Sequence, residues 1–465
     1  MKHNKEKTMR NTFLAFTAAS LLPAAAAFAQ TYDYALIPIL SLDGSQNLWI
    51  SDINDSGEIS GSFFVVGQTE SKHAYRWHEG ATFDLGTRSN SQAEPAEMNS
   101  YGDIVGSCSG SDRDNFSRAT IWTRDGHVMP LDTDLGYSPR IHPTGINDSG
   151  LVTGMTVTTE GPPWSTACTW SDGVRTPLER LGPDLSAAAF DLNNKNEIVG
   201  YVGDSDHVRH AALWKDGKLT VLPGLGGLIS RATLVNEKSV IAGSAQDAAG
   251  ESHAVLWRDG QLEFIADGLP PHQLLSVNDL NDFEEIVGRM FYAPQGYVGI
   301  IRREGAWYML NDLLPPNTDF NIRNGIAINN LGMVGVGEAD EFFELDRGAL
   351  LMPVNPTLSL SDPGPGIAGR VNTLTLTGAT PNARIYFYYG LRGGGQVIPG
   401  CPVADLVALQ IAAPIQAGSV RADASGTAVI TGFVPDSARR ADLVLLQCAV
   451  PSECRISQLV AFKFQ

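Results

Sequence analysis

The sequence predicts an all-β protein: a seven-bladed β-propeller closed by an N-terminal strand, followed by an immunoglobulin-like β-sandwich. Three observations carry this prediction. A short phrase built on asparagine recurs seven times, at intervals of 43 to 48 residues. A second phrase, which usually ends in tryptophan, follows each copy. Between the phrases lie short runs rich in valine, isoleucine and aromatic residues, bounded by turn residues, and such runs favour strands over helices.

The first phrase predicts a tight turn in every repeat. It begins Asn54-Asp55-Ser56-Gly57 and returns at six later asparagines: Asn99, Asn147, Asn193, Asn236, Asn281 and Asn329. Asparagine, aspartate and glycine adopt positive φ at low cost, so the phrase joins the first strand of a repeat to the second.

The second phrase marks the third strand. It ends on one residue per copy, a tryptophan in the first five: Trp77, Trp122, Trp170, Trp214, Trp257, Arg302 and Leu351. An Asp-Gly or Glu-Gly turn follows the first six copies and leads to a fourth strand. Four strands in about 46 residues are typical of a propeller blade.

Closure of the ring is predicted from the two ends of the repeat region. The seventh copy has no fourth strand, whereas an unassigned apolar strand, Tyr32 to Leu42, precedes the first copy. We expect this strand to complete the last blade and so remove the exposed sheet edges. The alternative, an open solenoid, would need polar capping repeats, and the sequence offers none.

Composition divides the chain into four parts. Residues 1–29 are a predicted secretory signal peptide, with a basic start, an apolar run and an Ala-x-Ala cleavage site. Residues 30–353 form the predicted propeller, the stretch 354–365 a Pro/Gly linker, and residues 366–465 the β-sandwich. The chain is therefore expected to be exported, to the medium, the cell surface or the periplasm.

The charge balance restricts the partners. The formal net charge is −18, which disfavours nucleic acid and anionic membranes. It suits a cationic ligand, a basic partner or divalent ions. Past the signal segment no apolar run approaches membrane-spanning length, so no membrane span is expected.

The two phrases resemble the HAF repeats of bacterial extracellular proteins. That family is named after a His-Ala-Phe phrase, and this chain carries related phrases at His73-Ala74, His210-Ala211 and His253-Ala254. The resemblance covers about 300 of the 465 residues. It implies a propeller-like repeat protein outside the cell and brings no catalytic residues with it.

The C-terminal region resembles a module found on many secreted bacterial proteins. The phrase Ile398-Pro399-Gly400-Cys401 and the final Phe-Lys-Phe carry this resemblance, which implies a disulfide between Cys401 and Cys454. A local pair of Cys448 with Cys454 is the alternative. Cys108 and Cys168 either pair across the contact of the second and third blades or stay buried and free.

No catalytic or metal-binding motif stands out from the sequence. We expect the tryptophans to pack between blades, and His73, His210 and His253 to form hydrogen bonds near the start of the third strand. One aspartate per Asn-Asp-Ser-Gly turn is too few for a calcium loop. No cofactor is predicted, apart from a divalent cation considered at two acidic spots, residues 204–206 and 338–341.

A ligand-binding face is predicted from loop variability. The turns after the first and third strands are short and uniform, whereas the connections at the opposite ends of the strands vary. Function concentrates on variable loops carried by a rigid scaffold. The candidate residues on that face, besides Phe116, are Trp164, His207, Arg209, Tyr292, Asp340 and Glu341.

The leading functional hypothesis is an exported, non-enzymatic binding or scaffold protein that meets a protein, glycan or cell-surface component through this variable-loop face. The alternative is a secreted propeller hydrolase or lyase acting on polysaccharide or a small molecule. Fold alone does not decide between them, because propellers carry many functions. The oligomeric state is left open.

Overall fold

The structure, a computed structural model, describes residues 33–465 apart from these gaps: 46, 66–70, 79, 89–91, 110–116, 132–139, 159–160, 206–207, 266–274, 339–346, 355–357, 398–407, 442 and 454. The predicted signal peptide lies outside the described residues. Within them the chain is all-β, and its helical elements are three short 3-10 turns: Leu310–Leu313, Asp436–Arg440 and Pro451–Glu453. In this part of the chain no helix is long and apolar enough to cross a membrane.

The repeats form antiparallel units of four strands that follow one another along the chain after β1 (Tyr34–Pro38). The first unit contains β2 (Leu48–Ile53), β3 (Ile59–Phe64), β4 (Lys72–His78) and β5 (Ala81–Gly86). The second contains β6 (Gln92–Met98), β7 (Ile104–Ser109), β8 (Ser117–Trp122) and β9 (Val128–Pro130). The third contains β10 (Arg140–Ile146), β11 (Val152–Val157), β12 (Ser165–Ser171) and β13 (Val174–Pro177).

The later units follow the same plan. The fourth contains β14 (Ala187–Leu192), β15 (Ile198–Gly203), β16 (Arg209–Lys215) and β17 (Lys218–Val221). The fifth contains β18 (Gly226–Val235), β19 (Ile241–Asp247), β20 (Ser252–Arg258) and β21 (Gln261–Phe264). The sixth contains β22 (Leu275–Leu280), β23 (Ile286–Tyr292), β24 (Gly296–Arg303) and β25 (Ala306–Met309).

The last unit takes a strand from the other end of the repeat region. Its own strands are β26 (Asn324–Ile328), β27 (Val334–Gly337) and β28 (Gly348–Pro353), and β1 pairs antiparallel with β28. Leu36 stands opposite Leu351, and both side chains are buried in one apolar cluster. The N-terminal strand thus lies beside the third strand of the last repeat, where the sequence places it.

The repeated asparagine closes its own turn and also reaches the next unit. Asn54 Oδ1 accepts hydrogen bonds from the backbone N–H groups of Ser56 and Glu58, at 3.1 and 3.0 Å. Its Nδ2 donates to the backbone carbonyl of Asn99, at 3.3 Å. Every later asparagine repeats this pattern, and the last, Asn329, donates to the carbonyl of Asn54 at 3.0 Å. The first strands of the units therefore surround one axis in a propeller-like arrangement.

The tryptophans pack between neighbouring units, as predicted. Trp122, Trp170, Trp214 and Trp257 are at most 1% exposed. Trp214 Nε1 donates to the carbonyl of Glu179 in the preceding repeat, at 2.8 Å, and Trp122 and Trp257 make the equivalent contact. In Trp122, Trp214 and Trp257 the buried indole ring removes a large apolar area from water while its N–H keeps a partner.

The C-terminal region adds two packed sheets and a hairpin. Its strands are β29 (Ser359–Leu360), β30 (Arg370–Thr377), β31 (Arg384–Gly390), β32 (Gly393–Val397), β33 (Ala408–Ile411), β34 (Ile415–Arg421), β35 (Ala428–Val434), β36 (Val444–Val450), β37 (Arg455–Ile456) and β38 (Val460–Phe462). One sheet has the order β29-β30-β35. The other has β34-β31-β36, and both β37 and β38 also pair with β36. Leu376, Phe387 and Leu446 belong to the core that the two sheets share.

The junction between the two regions differs from a free linker. Within the predicted linker 354–365, Leu358 and Leu360 are buried in the C-terminal core, and β29 pairs with β30. The hairpin β32–β33 also reaches back, since Gln410 Nε2 donates to the carbonyl of Tyr34 at 3.2 Å. Residues 32–465 accordingly form one compact unit. The Pro/Gly-rich composition predicts an extended linker here, whereas the burial of Leu358 and Leu360 attaches this segment to the C-terminal core.

The cysteines within the described residues are free and buried: Cys108, Cys168 and Cys448. Cys401 and Cys454 lie outside the described residues, so the disulfide between them stays a prediction. Of the two alternatives for Cys108 and Cys168, the structure has the free and buried one.

Candidate functional site

An acidic channel lies on the axis enclosed by the first strands of the units. Its cavity measures about 440 Å³. Eight carboxylates line it: Asp52, Asp55, Glu97, Asp148, Asp191, Glu237, Asp279 and Asp282. Among the described residues the lining includes no lysine, arginine or histidine. A cavity with this lining concentrates negative potential, because low-dielectric walls focus the field of like charges.

A β-bulge at one position of the first strand sets the inner carboxylates. In β2 the pairing register shifts between Ile50 and Asp52, and an equivalent shift occurs in the first strand of each of the other repeats. The residue after the bulge stands two positions before the turn asparagine: Asp52, Glu97, Gly145, Asp191, Leu234, Asp279 and Ala327. Bulges change the direction of side chains next to functional sites.

The three inner aspartates each bridge two units. Asp52 Oδ1 accepts from the N–H of Ile53 at 2.7 Å, and its Oδ2 accepts from the N–H of Met98 in the next repeat at 2.8 Å. Asp191 and Asp279 make the same two contacts, at 2.6 to 2.7 Å. These carboxylates therefore line the channel and also hold adjacent units together.

The residue after each asparagine forms the channel mouth. There Asp148 Oδ1 accepts the N–H of Ser100 at 2.9 Å, and Asn194 Nδ2 donates to Asp148 Oδ2 at 3.1 Å. Asn330 Nδ2 donates to Asp55 Oδ2 and to Asp282 Oδ2, at 2.9 and 3.1 Å. Four acids, two asparagines and Ser100 thus follow the seven turn asparagines around the mouth, and hydrogen bonds between neighbouring repeats hold the acids in place.

The inner carboxyls resist ionisation. Burial raises the pKa of Asp279 to about 8, and the charges of Asp52 and Asp191 add to the shift. Burial likewise raises the pKa of Asp191 to about 7 and that of Asp52 to about 6, against the opposing effect of their backbone N–H donors. The pKa of Glu97 rises well above its usual range, through burial and repulsion from the three aspartates. Carboxyls with such pKa values cluster at functional sites.

The residues predicted from the sequence lie elsewhere. Trp164 stands between β11 and β12 and is 56% exposed. Arg209 opens β16, and Tyr292 ends β23 and packs against the cluster of Met290 and Val298. All three lie at the variable-loop ends of the strands, opposite the asparagine turns, and none lines the channel. His207, Asp340, Glu341 and Phe116 lie outside the described residues.

The three histidines form the hydrogen bonds that the sequence predicts. His210 Nε2 lies 2.8 Å from Asp204 Oδ2, and His253 Nε2 lies 2.9 Å from Asp247 Oδ2. His73 Nδ1 lies 3.0 Å from Asp84. The bond from His253 holds the pKa of Asp247 below its usual range, while Asp247 Oδ1 closes its loop by accepting two backbone N–H groups. Within the described ranges no three His, Cys, Asp or Glu side chains are grouped to hold a metal ion.

Sequence reasoning missed the eight channel carboxylates. A usable signal was present, because alignment of the copies on their asparagine places an acid two positions before it in four repeats and one position after it in four. Taken singly, each turn has too few acids for a calcium loop. Convergence of the turns on one axis is what brings the acids together.

Comparison with known proteins gives distant structural similarity. No family model and no curated protein matches this chain. The β-propeller domain of the Trilobed protease from Pyrococcus furiosus is 10% identical over 66% of this chain and 97% of that one, with a TM-score of 0.47. The acylaminoacyl peptidase of Pyrococcus horikoshii is 10% identical over 72% of this chain and 59% of that one, with a TM-score of 0.43. A puromycin-hydrolyzing peptidase of Mycobacterium tuberculosis is 9% identical over 82% of this chain and 61% of that one, with a TM-score of 0.42.

Proposed function

We propose that this chain is an exported, non-enzymatic binding protein whose axial channel takes a protonated amine. One observation carries the proposal: eight carboxylates line the channel, and the described lining offers no cationic side chain to neutralise them. A cationic group that entered the channel would relieve the mutual repulsion of the carboxylates. The acidic overall charge would attract such a ligand from a distance.

The fold that we propose to carry this site is a closed, seven-bladed propeller with an immunoglobulin-like sandwich at its C-terminus. The pairing of β1 with β28 and the hydrogen bond from Asn329 to Asn54 support closure. The two C-terminal sheets around one core support the sandwich. We also propose membership of the HAF-repeat family, since the bonds of His210 and His253 to loop aspartates give the His-Ala phrase a structural role.

An amine fits the channel better than a metal ion. Among the described residues no three His, Cys, Asp or Glu side chains are grouped to hold a metal ion. An ammonium group donates three hydrogen bonds and accepts none, which matches a wall of acceptors. The volume of about 440 Å³ is in the range of small-ligand sites. The amine belongs either to a free polyamine or to a basic side chain of a partner protein.

Binding should be linked to proton release. The pKa values of Asp191 and Asp279, about 7 and about 8, mean that these carboxyls hold protons at neutral pH, whereas Asp52, with a pKa of about 6, holds its proton only in weakly acidic solution. A bound cation favours the ionised form, so it lowers their pKa and expels protons. Affinity for an amine should therefore increase as the pH rises from 6 to 8, which is the range of these pKa values.

The test is calorimetric titration of the exported chain, from residue 30, with spermidine in one arm and a lysine-rich peptide in the other. The double variant Asp148→Asn/Glu237→Gln removes two mouth charges and keeps one acceptor oxygen at each position. Asn194 and Asn330 show that an amide fits this position. We expect roughly tenfold weaker binding, about 1.4 kcal/mol.

The matched control is Asp172→Asn/Asp259→Asn. These two aspartates lie in the turns after the third strand, at positive φ, which asparagine tolerates. The control changes the net charge equally outside the channel, so its affinity should equal that of the wild type. Equal weakening by both double variants, or failure of both amines to bind, would contradict the proposal.

One observation favours the hydrolase or lyase alternative. A carboxyl with a pKa of about 7, as at Asp191, is suited to general acid catalysis near neutral pH. Turnover of an oligosaccharide by the wild type, lost in Asp191→Asn while the protein stays folded, would establish that alternative. Binding of an amine without turnover supports the non-enzymatic role.

A further inference from the structure

The variable-loop end of the fourth and fifth units carries a second site of opposite charge. We propose that Arg209 and Arg231, held against the ring of Tyr201, bind an oxyanion of a ligand: a carboxylate, sulfate or phosphate group. This site is separate from the acidic channel and does not depend on the amine proposal. It includes Arg209, which the sequence singles out on the variable-loop face.

The backbone brings the two arginines together from different repeats. Arg209 is the first residue of β16 in the fourth unit, and Arg231 lies in β18, the first strand of the fifth. A parallel bridge pairs Arg209 with Ile229, two residues before Arg231. The N–H of Ala211 donates to Ser230 Oγ at 2.8 Å, which fixes the same junction. The spacing of the two side chains is therefore set by strand pairing and not by a free loop.

Tyr201 is the common support of both guanidinium groups. The guanidinium carbon of Arg209 lies 5.1 Å from the ring centroid, and that of Arg231 lies 6.0 Å from it. Phe190 packs on the same ring, with centroids 5.8 Å apart. Cation–π contact holds a guanidinium group in place without using its N–H donors. The donors of both arginines therefore stay available to a ligand.

Neither arginine makes an ion pair within the described part of the chain, in contrast to several other arginines. Arg347, for example, pairs with Glu338 at 3.0 Å, and Arg303 pairs with Asp33. Nε of Arg231 is buried and has no hydrogen-bond partner among the residues that the structure describes. A buried donor without a partner is costly and calls for a bound group that satisfies it. The two guanidinium groups therefore bring positive charge to one place without a carboxylate partner among the described residues, in a chain of net charge −18.

The ligand class follows from the donor geometry. A guanidinium group presents parallel N–H donors that match the oxygens of carboxylate, sulfate and phosphate. Two such groups against one ring offer donors to a single oxyanion or to two neighbouring anionic groups. An acidic glycan or an acidic side chain of a partner would supply this chemistry, as would a free inorganic anion.

The experiment titrates the exported chain with sodium sulfate, sodium phosphate and sodium glucuronate in separate arms, at constant ionic strength set with chloride. The variants are Arg209→Gln and Arg231→Gln, and the control is Arg370→Gln, which removes an exposed arginine of β30. We expect saturable binding of at least one oxyanion by the wild type and the control, and at least tenfold weaker binding by each site variant. The arm that binds identifies the anion.

The exposed position of Arg209 keeps the test valid if Arg231→Gln fails to fold. Binding of spermidine by Arg209→Gln should equal that of the wild type, because the channel lies at the opposite strand ends. No oxyanion binding by the wild type, or equal affinity in Arg209→Gln and Arg370→Gln, would overturn the proposal. Loss of spermidine binding alone would bear on the channel and not on this site.

Discussion

The side chain of Asn329 donates a hydrogen bond to the backbone carbonyl of Asn54, at 3.0 Å and across 275 residues of sequence. The same side chain accepts the N–H groups of Leu331 and Met333 and so closes its own turn. One asparagine therefore serves the local turn and the contact between the last and first repeats. Both roles need an amide, since aspartate has no N–H donor and leucine has neither donor nor acceptor.

Asn329→Ala should destabilise the protein by about 2–3 kcal/mol, because it removes three hydrogen bonds of buried groups. Calorimetric unfolding measures the loss. Gln261→Ala is the control, since that side chain is exposed at the start of β21, and its effect should stay within about 0.5 kcal/mol. An unchanged Tm in Asn329→Ala would show that the last contact between repeats contributes nothing to stability.

The buried Trp214 and the exposed Trp164 should differ in their contribution to stability. Trp214 is 1% exposed and donates to the carbonyl of Glu179, whereas Trp164 is 56% exposed. Trp214→Ala should cost about 3–5 kcal/mol, as for other buried aromatic residues. Trp164→Ala should leave the free energy of unfolding within about 0.5 kcal/mol of the wild type. Similar losses in the two variants, measured by denaturant unfolding, would refute the assignment of Trp214 to the packing between repeats.

Stability should fall as the pH rises from 4 to 8. The inner carboxyls have a raised pKa in the folded chain, up to about 8 at Asp279, against about 4 when unfolded. The folded chain therefore binds more protons in this window, and the free energy of unfolding decreases with pH. Asp279→Asn removes one of these groups and should flatten the dependence. A Tm that rises steadily from pH 4 to pH 8, and equally in Asp279→Asn, would contradict the raised pKa values.

The free thiols should be protected in the native state. Cys108, Cys168 and Cys448 are buried, and burial raises the pKa of Cys448 well above its usual range. Since the thiolate is the reactive form, alkylation should be slow until the chain unfolds. Mass spectrometry after timed alkylation of the non-reduced protein measures the rate at each cysteine. Rapid native labelling of Cys448 would contradict its burial.

The repeat architecture could be predicted from sequence because it depends on local chemistry. The turn asparagine, the glycine after it and the tryptophan recur in register, and each has a local structural reason. The position of β1 followed from counting strands in the last repeat. These features need no knowledge of which repeats face each other.

The acidic channel could not be found in the same way, because it exists only when the repeats are arranged around an axis. Asp52 and Asp279 are 227 positions apart in sequence, and the repulsion between their charges depends on the arrangement of the first strands around the axis. The burial of two leucines within the predicted linker is hidden from the sequence for a related reason. Leu358 and Leu360 are ordinary in composition, and only the two C-terminal sheets give them a core to enter.

Titration of spermidine into residues 30–465 at pH 7, in two buffers of different ionisation enthalpy, HEPES and PIPES, measures whether amine binding expels protons from the channel carboxyls. We expect saturable binding of spermidine, with a heat that differs between the two buffers by the amount that proton release requires. Binding should be weaker in Asp148→Asn/Glu237→Gln. Binding without proton release, or no binding at all, would contradict an axial channel whose protonated carboxyls ionise around a bound amine.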